Sequence, residues 1–340
     1  MANDPYNSHD IESLAIQNGS ILNNIIGNSN YDIGHVVTQF ETKSGVALLG
    51  SVCKTESTAH KAMAATGHPT PMGDIFTIDF LAHEIGHQLG ATHTFNSKIS
   101  ICGYTREPAT AYEPGSGSSI MAYAGICGSD KIATNSHAVF HIASIEQINT
   151  FVRYKGGLSC GSEVASNNVA PKITAITKGV IVNVGDSFTL TAAATDGDND
   201  DLTYNWDQFD SGLASTVDED KGDNALYAIT LPNADPSRTF TAKATSDRDL
   251  TFKLVVRDGK GGVSSATTVV KVSTSGETAV GSLATVSDDQ EYPVSPRKRG
   301  PVTVAKSKES GGGGGSYSIR LLILLGLMGV FLNFLRKSNE

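Results

Sequence analysis

The chain has 340 residues, enough for two or more domains, with 39% hydrophobic residues and a formal net charge of −9. An acidic balance with no basic patch in the folded part argues against nucleic acid as a partner. The one dense basic cluster, Arg297-Lys298-Arg299, sits in a polar linker and reads as a solvated run. There are four cysteines, Cys53, Cys102, Cys127 and Cys160, and none forms C-x-x-C. That excludes a cysteine zinc knuckle and a thioredoxin-like site, and the even count suggests two disulfides. The start, Met1-Ala2-Asn3-Asp4-Pro5-Tyr6, is polar, with no visible signal peptide.

Residues 1–162 read as mixed α/β. Ile11, Leu14, Ala15, Leu22, Ile25 and Ile26 predict a helix closing at Gly27. Residues 31–40 and 46–52 predict strands. A helix of about 15 residues is predicted from the N-cap Asp74 to Gly90, its apolar stripe Ile75, Ile78, Ala82, Ile85 and Leu89 facing the core. A Gly/Ser-rich loop follows, and Ile142, Ile145, Ile148 and Phe151 mark a final helix.

The helix over Asp74 to Gly90 carries His83-Glu84-Ile85-Gly86-His87-Gln88-Leu89-Gly90-Ala91-Thr92-His93, or H-E-x-x-H-x-x-G-x-x-H. Positions i and i+4 share one helix face, so His83 and His87 can reach one metal ion. Gly90 permits the backbone turn that returns His93 as a third ligand. Three protein ligands leave a fourth place open, as a catalytic site requires. Glu84 is the candidate general base. Downstream, Ser119-Ile120-Met121-Ala122-Tyr123 resembles the Met-turn that lies beneath the zinc in metzincins, a likeness that implies the same place for Met121. His9, His35, His60, His68, His137 and His141 lack ligand spacing and read as surface or hydrogen-bonded core residues.

Residues 163–170 are a polar linker. Residues 171–275 alternate in the manner of short strands broken by Gly and Asp turns, which predicts an antiparallel, immunoglobulin-like sandwich with Trp206 in its core. Asp196, Asp198 and Asp200 supply oxygen ligands suited to Ca²⁺, or form an acidic surface turn. Residues 276–316 read as a flexible linker. Residues 317–337 are largely apolar with a basic end; nineteen helical residues reach about 29 Å, the thickness of a bilayer core. The basic end then faces the cytoplasm and the rest lies outside.

With motif and Met-turn in hand, the first half resembles the reprolysin-like metzincin metallopeptidases, especially secreted bacterial members. Tyr31-Asp32-Ile33-Gly34-His35 and Gly45-Val46-Ala47-Leu48-Leu49-Gly50-Ser51-Val52-Cys53 share the likeness. The resemblance implies a zinc endopeptidase with Glu84 as base, and an edge strand at Val46, Ala47, Leu48 and Leu49 that pairs with an extended polypeptide substrate. It implies bridges Cys53–Cys160 and Cys102–Cys127; the pairing Cys53–Cys102 with Cys127–Cys160 stays open. Tyr123 stands where some metzincins place a tyrosine that ligates zinc or stabilises the transition state; the alternative is a packed tyrosine. Thr94 follows His93 where many reprolysins carry Asp. Such a domain has more sheet and another long helix before the zinc helix than 82 residues supply, so its N-terminal part is expected to be missing.

The second domain resembles polycystic-kidney-disease-like and cadherin-like modules of bacterial surface proteins. The tail resembles Gly-rich sorting signals of Gram-negative bacteria, cut by a rhomboid-like sorting protease, or is a permanent membrane anchor. The expected location is extracellular or at the cell surface. The alternative function is a non-catalytic adhesion or interaction protein carrying a peptidase remnant.

Overall fold

The computed structural model describes residues 4–54, 60–160 and 166–286. The first helix, α1 (Ile11–Ile25), is capped by Asp10, whose carboxylate accepts the Ser13 N–H at 2.8 Å. Ile11, Leu14 and Ala15 are buried and pack with Val46 and Ala65. Three strands form the sheet beneath, β1 (Val36–Gln39), β2 (Ser44–Ala47) and β3 (Ala64–His68), in the order β1-β3-β2. The central strand β3 runs parallel to β1 and antiparallel to β2.

β1 lies within the first stretch read as strand, β2 overlaps the second only at Val46 and Ala47, and β3 was not foreseen. Its residues Ala64-Ala65-Thr66-Gly67-His68 are all buried, yet they show neither alternation nor branched apolar side chains. The layers press close here; a side chain at Gly67 would run into Phe40 and Ile11. Small residues suit such a site and erase the usual strand signal.

The motif helix is a single rod in two parts, a π-helical segment (Ile75–Ala82) running straight into α2 (His83–Gln88). Asp74 is itself helical and makes no side-chain cap, contrary to expectation. The expected apolar stripe is also corrected. Ile75 is exposed and Ile78, Ala82, Ile85 and Leu89 are half-buried, while His83, Glu84, Gly86, His87 and Gln88 are buried. Wider π turns shift the register. The sheet and the Met-turn segment enclose the polar face.

Residues 89–141 contain only short helices, among them α3 (Cys102–Thr105). The final helix, α4 (Ile142–Tyr154), lies where predicted. The cysteines pair Cys53–Cys160 and Cys102–Cys127, with Cα separations of 5.3 and 5.5 Å.

The second unit holds β4 (Lys172–Asn183), β5 (Ser187–Leu190), β6 (Ala192–Thr195), β7 (Thr203–Gln208), β8 (Arg238–Thr241), β9 (Arg248–Arg257), β10 (Val263–Ser273) and β11 (Ala279–Thr285). One sheet runs β11-β4-β10-β9-β7 with β6 on β4; β5 and β8 form another. Side chains of both meet in one core around Trp206, Phe252, Leu190 and Phe240. Two details differ from expectation. β10 and β4 pair in parallel, and β11 falls within the stretch read as a flexible linker. Residues 317–337 lie outside the described residues, as does most of that linker. Among the described residues no helix is long and apolar enough to cross a membrane.

The two units share a polar interface that the sequence did not announce. Asn96 donates to Ser215 Oγ at 3.0 Å and Asp130 accepts the Val217 N–H at 2.7 Å. Asp207 accepts the Ile142 N–H at 3.0 Å, and Lys253 pairs with Glu146 at 2.6 Å. The Tyr112 ring stacks on His141 and Phe209, with centroids 5.5 and 4.2 Å away.

Candidate metal centre

His83 and His87 lie one turn apart on α2. The rod ends at Gly90, whose φ of +92° is a conformation that residues with a Cβ resist. The chain then doubles back to His93. His87 Nε2 lies 3.0 Å from His83 Nε2 and 3.1 Å from His93 Nε2. Each Nδ1 is 2.7 Å from a backbone carbonyl, Ile120 for His83, Ala91 for His87 and Thr105 for His93. A carbonyl accepts only, so each Nδ1 carries the proton and each Nε2 presents a lone pair.

Three buried lone pairs aimed at one another repel unless a cation lies between them. Zn–N bonds of about 2.0–2.1 Å in tetrahedral geometry set nitrogens about 3.3 Å apart, close to the observed spacing. Burial holds His83 down at about 3 and His87 at about 4, with mutual repulsion adding at His83. His93 is also held well below its ordinary value by burial and by its two neighbours. The imidazoles are therefore neutral at physiological pH, the form that binds metal. This donor set fits Zn²⁺.

Glu84 faces the cleft, and burial alone raises its carboxyl to about 8. A side chain at Gly45 on β2 would collide with the Glu84 carboxylate, so the sheet edge and Glu84 meet at van der Waals range. Met121 is fully buried against the motif helix, and a Cβ at Gly86 would strike its sulfur. Its carbonyl accepts the Thr94 N–H at 3.2 Å, and the neighbouring Ile120 carbonyl orients His83. Tyr123 stacks on Phe95 at 4.6 Å and lies 4.5 Å from the His93 ring and 5.6 Å from the His83 ring. Burial raises its phenol, the Glu84 charge raises it further, and a hydrogen bond with Thr105 opposes both.

Of the four residues expected on the substrate-pairing edge, Val46 and Ala47 lie on β2; Leu48 and Leu49 follow it. β2 has β3 on one side and ends the sheet on the other. Its Ser44 and Gly45, rather than Leu48 and Leu49, line the cleft with Glu84.

Asp196, Asp198 and Asp200 do come together, with ligand atoms within 4.8 Å. Hydrogen bonds of the turn itself hold two of the three carboxylates. Asp196 Oδ1 accepts the N–H groups of Asp198 at 2.8 Å and Asp200 at 3.1 Å, and Asp198 accepts the Val169 N–H at 2.7 Å. Calcium gains no support.

Two supports were invisible in the sequence. Gln88, next to His87, is fully buried, stands 2.9 Å from His35 Nδ1 and donates to the Gly34 carbonyl at 3.0 Å, locking the motif helix to the sheet. Glu113 is fully buried. It accepts the N–H groups of Ser118 and Ser119 at 2.7 and 3.0 Å, the Thr94 hydroxyl at 2.6 Å and the Ser119 hydroxyl. It thus ties the residue after His93 to the start of the Met-turn. Nothing in the Ser/Gly-rich sequence around Glu113 marks it.

Residues 1–148 match the model of metallo-peptidase family M12B, reprolysin-like. This stretch of the chain therefore carries a reprolysin-like M12B metallopeptidase domain, a class that uses zinc. No curated protein matches the sequence.

Proposed function

We propose that the chain is a zinc endopeptidase that hydrolyses extended polypeptides. The observation that carries this reading is the convergence of three proton-fixed imidazoles beside a buried carboxylate, at the open edge of a sheet. When bound at His83, His87 and His93, Zn²⁺ supplies Lewis acidity, acidifying water and polarising the scissile carbonyl. An extended peptide lies along β2, its backbone hydrogen bonds fixing its direction. A cation at the imidazoles lowers the Glu84 carboxyl from its raised metal-free value, so Glu84 can take a proton from the attacking water and pass it to the leaving amine. Met121 and Glu113 hold the imidazoles and the Met-turn in place. Tyr123 flanks two of the imidazoles and assists the transition state.

The polycystic-kidney-disease-like or cadherin-like character of the sandwich belongs to this proposal. So do an extracellular or cell-surface location and a membrane or sorting role for residues 317–337. The non-catalytic adhesion reading has no observation in its favour.

Metal analysis combined with a casein cleavage assay tests the proposal. One zinc per chain is expected, with cleavage abolished by chelator and by Glu84→Ala while Glu84→Ala retains zinc. Tyr123→Phe in the same assay is expected to lower turnover more than substrate affinity. Zinc bound without cleavage of any peptide would refute the peptidase.

A further inference from the structure

The cleft beside Glu84 continues into a pocket with walls of mixed character. Ile75, Phe80 and Ile126 give apolar surface, and Asp79 and Lys43 give charge. Asp79 stands one turn before His83 on the same rod and is half-buried. Its Oδ1 accepts the Ser136 N–H at 2.9 Å, which joins the helix wall to the opposite wall and fixes the carboxylate. Among the described residues this is its hydrogen bond, so Oδ2 is free to receive a ligand. Lys43 is exposed, on the turn between β1 and β2 at the mouth.

We infer that Asp79 selects a cationic side chain, Lys or Arg, in the substrate residue that enters this pocket. The inference rests on the peptidase reading and names the substrate class for it. A long cationic side chain has an apolar stem and a charged head. The apolar walls take the stem, and the fixed carboxylate takes the head in a charge-assisted hydrogen bond. Burial raises the Asp79 carboxyl, although the Ser136 amide and Lys43 both act to lower it. The chain's net charge of −9 also favours encounter with basic peptides. A glutamate in the same pocket would face Asp79 and be rejected.

The test uses the zinc-loaded full chain and internally quenched peptides. These differ only in the residue immediately before or after the scissile bond, which is Arg, Lys, norleucine or Glu. The Arg and Lys peptides are expected to exceed norleucine by about tenfold in kcat/KM, a difference of about 1.4 kcal/mol, with Glu slowest. Asp79→Asn keeps an acceptor for Ser136 and is expected to bring the Arg-to-norleucine ratio close to one, mainly through KM. Lys43→Ala is expected to raise that ratio. Wild-type preference for norleucine, or a ratio that survives Asp79→Asn, overturns the inference. Equal cleavage of Arg and norleucine peptides would overturn it and leave the peptidase standing. Binding of the same peptides to Glu84→Gln protein, followed by fluorescence anisotropy, reads the same ratio without turnover. Failure of all cleavage would therefore sink the peptidase and still leave the pocket's preference decided.

Discussion

Glu113 separates two substitutions that look equally drastic on paper. Its Oε2 serves two backbone N–H groups, Ser118 and Ser119, which can only donate. Its Oε1 serves two hydroxyls, Thr94 and Ser119, which can rotate and accept. Glutamine can point its oxygen at the amides and its NH₂ at the hydroxyls, so every group keeps a partner. Glu113→Gln should cost about 1 kcal/mol, the charge-assisted share of the bonds. Alanine orphans both amides in a buried site. The hydroxyls lie 3.2 Å apart and can turn to each other. Two orphaned donors at about 1–3 kcal/mol each place Glu113→Ala near 4 kcal/mol. Urea unfolding gives the totals, and hydrogen exchange at Ser118 and Ser119 gives the local effect. The Ala variant should also bind zinc more weakly, because Thr94 follows His93. If the two variants unfold within about 0.5 kcal/mol of each other, the assignment of donors and acceptors is wrong.

Without metal, stability should peak near pH 6.5. Glu84 has a folded value of about 8 against an ordinary 4.5, so stability falls as pH rises through that window, by about 5 kcal/mol at most. His83 and His87 are depressed from 6.5 to about 3 and 4, so stability falls as pH drops below 6.5. Melting temperature against pH in chelator should show both limbs, and Glu84→Gln should remove the alkaline one alone; persistence of that limb would exclude Glu84 as its source. For the bridge Cys102–Cys127, a sequence separation of 25 residues corresponds to about 3.5 kcal/mol of loop entropy. Its replacement by two serines should lower stability by that order and weaken zinc binding, since Thr105, in the bridged segment, orients His93. Unchanged zinc affinity, by competition with a chromophoric chelator, would show that Thr105 is held by other contacts.

The convergence of His83, His87 and His93 was largely legible because its geometry is local: one helical turn, one left-handed glycine and a return of three residues. Trp206 in the sandwich core and α4 at Ile142 were legible by periodicity. What the sequence concealed depends on layers meeting. β3 hides among alanines because its neighbours leave no room for larger side chains. The buried face of the motif helix was misassigned because a π turn carries the register past 3.6 residues. Glu113, Gln88 and Asp79 are single polar residues whose roles depend on partners 5 to 57 positions away. No spacing rule connects such pairs.

The contact between Asp207 and the Ile142 amide spans 65 residues and two structural units. The opening turn of α4 is completed by the sandwich, with Lys253 and Phe209 reaching the same face. Cut between the halves, each piece would carry a raw surface of unmet donors and bared rings. The sandwich therefore belongs to the working body of the metallopeptidase-like domain rather than to its luggage, and any exchange of modules would have to carry both sides of the seam.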